Sequence, residues 1–292
     1  MAEHELSRAP GIGGLLARAG IGMIPGISGL PLLGGRRAAD VSDEVLVLDG
    51  VEVDRVRLAA YVRVCGFSLR DALPATYPHM LAFPLHLALM TDPAFPFPAI
   101  GLVHIYNRII QHRPVRADER LSLRVWAEPI TPHPRGRQVA LRTECRVGEE
   151  LVWEEVSTNL RRGAGDESAP APGVPSAEGL PAVASWTLPG DLGRRYASVS
   201  GDYNPIHIHP LTARLFGFPS AIAHGMWTKA RCLAALQPRL PDSYTVEVAF
   251  KRPIALPAKV RFVELAGAGQ TRFGVRGARE DLPHLDGALR PA

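Results

Sequence analysis

An acid, an amide and an imidazole fall within six positions of one another at Asp202, Asn204 and His207, with Pro205 between them. A carboxylate and an imidazole held close together can share one water or one substrate hydroxyl. Such a pair can move a proton onto or off carbon while oxygen arrives or leaves. Asn-Pro is a strong turn signal, because the proline ring pushes the preceding residue out of the helical region. The segment is therefore predicted to be a rigid, irregular turn, with Asn204 fixing it through hydrogen bonds to backbone and so positioning the pair. A short helical run is expected next, with Ala213 and Phe216 one turn apart. Further on, Ile222-Ala223-His224-Gly225-Met226-Trp227 reads as the start of a buried helix. Met226, Ala230, Leu233 and Ala234 recur at the spacing of one apolar helical face. Backbone N–H groups at a helix start have no intrahelical acceptor, and glycine has no side chain to block approach. Gly225 can thus hold a carbonyl oxygen as negative charge builds on it.

Each of these residues also has a plainer reading. Asp202 alone is a good turn or cap residue after Gly201; only its register with Asn204, Pro205, His207 and Gly225 favours chemistry. His207-Ile208-His209 has the H-x-H spacing of some metal sites. It follows a proline turn, however, and no third ligand stands at helical spacing, so no metal is expected. Ser198 and Ser200 lack the G-x-S-x-G elbow of a nucleophile. His79, His86, His104 and His112 read as surface or core residues. Lys229, Lys251 and Arg252 read as solvated surface, able at most to meet phosphates at a tunnel mouth. The roles of His209 and His224 stay open.

The run S-G-D-Y-N-P-I-H, followed by F-G-F-P and then I-A-H-G-M, resembles the hydratase-2 motif of MaoC-like (R)-specific enoyl-thioester hydratases and dehydratases. The wider pattern is most similar to 3-hydroxyacyl-thioester dehydratases of mycobacterial type, over about residues 45 to 290. The resemblance implies that Asp202 and His207 are catalytic and that Gly225 supplies the oxyanion amide. It implies a lyase that interconverts trans-2-enoyl and (R)-3-hydroxyacyl thioesters of coenzyme A or acyl carrier protein in fatty-acid metabolism, with no cofactor. His209 stands where the family often has Asp or Asn.

The rest of the chain must position those residues. Hydrophobic residues make up 46% and charged residues 21% of its 292 positions, which is the composition of a soluble globular protein. The net charge of +4 suits a phosphate-bearing ligand such as coenzyme A, or an acidic carrier protein. There is no dense Lys/Arg run or aromatic–basic ladder, which argues against nucleic acid. Cys65, Cys145 and Cys232 are few and widely spaced, as free thiols in a reducing cytoplasm would be. The apolar, glycine-rich stretch from Gly11 to Gly34 is interrupted by Arg18, Pro25 and Pro31. A spanning helix needs about 20 continuous apolar residues, and the opening MAEHELSRAP lacks the basic start of a secretory signal. Residues 1–44 are therefore expected to be a mobile or surface-packed extension without membrane insertion.

Residues 45–163 hold a helix-forming stretch near Leu58–Cys65, another at Leu85–Met90, and strand-like runs at Leu102–Ile110, Leu121–Trp126, Gln138–Val147 and Leu151–Leu160. Residues 164–181 are a linker rich in glycine, proline, alanine and serine. Residues 182–292 repeat the plan, with strand-like runs at Tyr244–Phe250, Ala258–Leu265 and Thr271–Gly277. Gly66 and Gly201 stand 135 positions apart, the Arg-Pro pairs at Arg113 and Arg252 139, and Pro84 and Gly225 141. One domain is thus present twice. Pattern alone indicates an α+β layer; the resemblance implies two fused hot-dog domains, each a long helix wrapped by an antiparallel sheet. The alignment places Phe67 opposite Asp202, and Pro84, which has no N–H, opposite Gly225. The second copy is expected to be catalytic. The first is expected to be a degenerate, non-catalytic copy whose larger apolar residues leave room for a long acyl chain. Two rivals to the lyase remain, a hot-dog acyl-CoA thioesterase and a non-catalytic acyl-thioester-binding subunit. Chain length, carrier, direction and homodimer formation are open.

Overall fold

The computed structural model describes residues 2–21, 40–99 and 101–292. The chain begins with β1 (Ala2–Glu5) and α1 (Ile12–Ile21). A first set of elements follows: β2 (Glu44–Val51), α2 (Arg55–Cys65), α3 (Tyr77–Thr91), β3 (Leu102–Gln111), β4 (Leu121–Ala127), β5 (Thr131–His133), β6 (Gly136–Val147) and β7 (Glu150–Arg162). The second set is β8 (Ala182–Leu188), α4 (Leu192–Ser200), α5 (Pro205–Ile208), α6 (Pro210–Leu215), α7 (Gly225–Leu236), β9 (Tyr244–Phe250), β10 (Ala258–Gly267), β11 (Gln270–Gly277) and β12 (Pro283–Pro291).

The duplication expected from the sequence is visible in the order of the sheet. β3 and β9 pair antiparallel, with Asn107 opposite Val248 and Ile109 opposite Val246, and so join the two sets. Outward from that seam one side runs β7, β6, β4, β2 and the other β12, β11, β10, β8. The two sides correspond strand for strand. α3 and α7 are buried along most of their length and form the two central helices of an α+β double hot-dog. Their apolar residues share one continuous core, which includes Tyr61, Leu85 and Trp153 from the first set and Trp227, Leu233 and Phe262 from the second. Strand alternation shows in β4, where Leu121, Leu123 and Val125 face the core. β1 extends the edge by pairing parallel with β2.

Local rules place the smaller helices. Asp54 caps α2 by accepting the N–H groups of Val56 and Arg57 at 2.8 and 3.1 Å. Gly66 ends α2 and Gly201 ends α4, at φ +81° and +83°. Glycine is the residue that adopts this conformation without steric cost. The matched landmarks around Arg113 and Arg252 also correspond, since Leu73 N–H donates to Val115 O and Ala223 N–H to Ile254 O.

Four expectations need correction. Pro84 lies inside α3, not at its start. The head of α3 is Thr76-Tyr77-Pro78, where the Tyr77 N–H already donates to Pro74 O at 2.7 Å. The counterpart of Gly225 is therefore in this stretch; the offset failed because the two connections preceding the central helices differ in length. Lys229 is fully buried, not on the surface. The Asn-Pro segment is one turn of helix, α5, and not irregular, because proline is well placed at the first helical position once Asn204 caps it. β8 and β12 were not recognised as strands: β12 carries Pro283, Gly287 and Pro291, and its buried face includes Asp286, paired with Arg276 at 2.6 Å. Part of the Gly11–Gly34 stretch lies outside the described residues. Among the described residues no helix is long and apolar enough to cross a membrane. All three cysteines are buried and free.

Candidate active site

The turn that carries the acid begins where Gly201 stops α4. Asp202 N–H donates to Ser200 Oγ at 3.2 Å, and Asp202 Oδ1 accepts the Asn204 N–H at 3.2 Å. Asn204 Oδ1 then accepts the Ile206 N–H at 3.3 Å and starts α5. These local bonds give Asp202 a fixed direction. α5 is pinned in turn to the segment before α7, because Ile222 N–H donates to Ile206 O at 3.0 Å.

His207, on α5, is nine-tenths buried. Its Nδ1 lies 2.8 Å from Ile222 O, and since a carbonyl only accepts, Nδ1 carries the proton. In the neutral ring Nε2 is then the free base. Burial lowers the pKa of His207, while the Asp202 charge and the bond to Ile222 oppose that shift. One donor atom each from Asp202, His207 and His224 lies within 4.8 Å of the others, a gap that one water bridges with two hydrogen bonds of about 2.8 Å. Asp202 keeps its carboxylate partly exposed, at 28%.

His224 completes the cluster, a residue to which sequence reasoning assigned no role. Its Nε2 donates to Asp202 O at 2.9 Å and stands 3.7 Å from Asp202 Oδ2. Its ring stacks on that of His207 at 3.7 Å between centroids, and Tyr196 packs against it at 4.8 Å. Burial, followed by the neighbouring His207, pushes its pKa down to about 3. His224 is thus a neutral spacer that fixes the Asp202 backbone and backs the His207 ring. Its only signal in the sequence was its place immediately before Gly225. His209 instead caps α6, accepting the Leu211 N–H at 3.2 Å. Each ring thus commits one nitrogen to a backbone carbonyl and keeps the other without a protein partner, His207 Nε2 and His224 Nδ1.

Gly225 is the first residue of α7. An ideal Cβ there would lie 3.1 Å from the Phe250 ring. Residues 222–225 thus serve the site in succession: Ile222 holds His207, His224 holds Asp202, and Gly225 presents the free end of a helix.

A second glycine matters, and the sequence reading missed it. A Cβ on Gly193 would fall 1.9 Å from His207 O, so α4 can touch α5 only without a side chain there. Ala for Gly within a helix normally stabilises by up to about 1 kcal/mol. At Gly193 the clash is with backbone, and displacement of this kind costs about 1–3 kcal/mol. Gly193→Ala should therefore lower both Tm and kcat; thermal melts and steady-state rates that match wild type would contradict this account of His207.

Comparison with known proteins places this arrangement. The MaoC like domain model matches residues 181–276, the stretch that contains all of these side chains. The chain is 35% identical over 278 residues to 3-hydroxyacyl-thioester dehydratase X of Mycobacterium tuberculosis, covering 94% of this chain and 96% of the relative. The chain belongs to the MaoC-like dehydratase family. The crystal structure of HtdX of Mycobacterium tuberculosis superposes with a TM-score of 0.76 at 35% identity, covering 85% of this MaoC-like chain and all of that one. A second Mycobacterium tuberculosis protein, described as having a double hotdog fold, matches with a TM-score of 0.53 at 15% identity, over 84% of this chain and 95% of that one. At that identity the likeness speaks for the fold alone.

Proposed function

We propose that the protein is a hydro-lyase that interconverts trans-2-enoyl and (R)-3-hydroxyacyl thioesters in fatty-acid metabolism, with Asp202 and His207 as the proton-handling pair. The single observation that carries this reading is the fixed tautomer of His207. With Nδ1–H committed to Ile222 O, the lone pair on Nε2 is left free, in a ring that offers a nitrogen within 4.8 Å of the Asp202 carboxylate.

In hydration one water sits between the two groups. Asp202 accepts one of its protons as a hydrogen bond and His207 Nε2 takes the other as the oxygen attacks C3. The electron pair of the double bond moves through C2 to the thioester oxygen, where the Gly225 N–H meets the growing charge. The imidazolium then returns the proton to C2. Dehydration follows the same steps in reverse. No metal or organic cofactor enters the cycle. The substrate is an acyl thioester of coenzyme A or of acyl carrier protein, and the protein is read as cytoplasmic.

The base must be neutral to work. His207 is held below the ordinary histidine value of about 6.5, so its neutral form persists as pH falls through that value. The acid limb of kcat/KM should lie below about pH 6.5. A limb centred at 7 or above would show that His207 is not the titrating base.

The decisive assay follows loss of enoyl absorbance with crotonyl-CoA and dodecenoyl-CoA and determines product configuration. An (R)-3-hydroxyacyl product supports the reading. Release of free thiol from a saturated acyl-CoA would indicate a thioesterase instead, and tight binding without turnover a carrier subunit.

A further inference from the structure

Lys229 lies one turn beyond Gly225 on α7, and no part of its side chain is exposed. Its Nζ donates to Asn107 Oδ1 at 2.5 Å, Asn107 O at 3.3 Å and Val246 O at 3.2 Å. An ammonium has three protons, and here each has an acceptor. Asn107 is on β3 and Val246 on β9, so the ammonium bridges the seam that joins the two halves. The Asn107 amide donates to Glu155 Oε1 at 2.6 Å, and the Glu155 carboxylate pairs with His79 Nδ1 at 2.8 Å. Four buried polar side chains thus connect α7, the central helix of the second half, to α3, that of the first.

This polar network lies in the interior of the first half, against the seam. His86 and His104 border it, bonded to Thr143 Oγ1 and Ser157 Oγ at 2.7 and 3.0 Å. His104 also packs on Phe250, the ring that faces Gly225. Burying an ammonium and a carboxylate is costly, and apolar residues of similar volume often hold a core equally well. Stability alone therefore does not account for the network. What directional bonds add is geometry: they fix where α7 sits against the seam, and the head of α7 carries the Gly225 N–H.

We propose that Lys229 is a positioning residue. It ties α7 to the β3–β9 seam and so sets the place of the Gly225 N–H, and through Asn107, Glu155 and His79 the first half shapes a reaction in which it supplies no reacting group. The inference rests on the reading of Gly225 as the oxyanion donor.

The test is Lys229→Met in the full chain, which keeps length and removes the charge. In enoyl-CoA hydration kcat should fall about tenfold to a hundredfold, the range for a small misplacement of a catalytic group, with KM within about twofold. Hydrogen exchange over residues 223–230 should quicken by about tenfold or more. Exchange does not depend on turnover, so it tests the tether even if the hydratase reading fails. A variant that melts lower but keeps wild-type kcat and wild-type exchange at the head of α7 would overturn the proposal, since that is what a purely structural role produces. Should Lys229→Met fail to fold, Asn107→Ala leaves the ammonium two backbone acceptors and cuts the link to Glu155. It should lower kcat with KM unchanged, and wild-type kcat in that variant refutes the role. If both variants fold, their losses in kcat should be less than additive; independent losses would break the chain at Asn107.

Discussion

Asp202→Asn should lose about 10²–10⁴ in kcat while keeping its fold, as should His207→Ala, the range that positioned acid–base groups contribute. The asparagine variant is the cleaner test. Its Oδ1 can still accept the Asn204 N–H that shapes the turn, and its backbone carbonyl still accepts from His224. Only the charge that holds the water and favours the imidazolium is lost. The alanine variant strips Ile222 O of the His207 proton, and an unpaired buried carbonyl costs about 1–3 kcal/mol. Its Tm should fall accordingly, so activity must be referred to folded enzyme. Because the two groups share one water, the double variant should be little worse than either single one. Unaltered turnover in either single variant would remove the pair from the mechanism.

The second large effect is expected at Gly225, where a pair of variants separates bulk from the lost N–H. Gly225→Ala keeps the N–H but places Cβ 3.1 Å from the Phe250 ring, which must shift by a few tenths of an ångström. A modest rate loss should follow. Gly225→Pro brings the same crowding and also removes the donor. Proline suits the first helical position, and His224 already has the extended backbone that a residue before proline needs, at φ −67° and ψ 138°. The fold should therefore accept the change. Loss of one oxyanion donor costs about 10²–10³ in kcat in other enzymes, so proline should fall below alanine by about that factor. Equal rates for the two would mean that the Gly225 N–H does not meet the developing charge.

The head of the central helix differs in the first half. There the residues heading α3 include Tyr77, fully buried, and its N–H is already used by Pro74 O. Sequence offset pointed to Pro84 instead. Offset assumes equal connections, whereas the second half inserts α5 and α6 ahead of its central helix.

What the sequence determined by itself was local. The order Asp, Asn, Pro specified the turn, since Asp202 and Asn204 each accept the backbone N–H two positions on and Pro205 suits the helix start that follows. The alternation in β4 and the glycines that end α2 and α4 marked elements whose geometry depends on nearest neighbours. Two other features of the site were out of reach of any local rule. His224 and Gly193 matter through partners 22 and 14 positions away. Lys229 read as surface because lysine usually is, yet its three acceptors come from two strands, β3 and β9. Only the closing of the seam brings those oxygens to one point, and only then does a buried charge become tolerable.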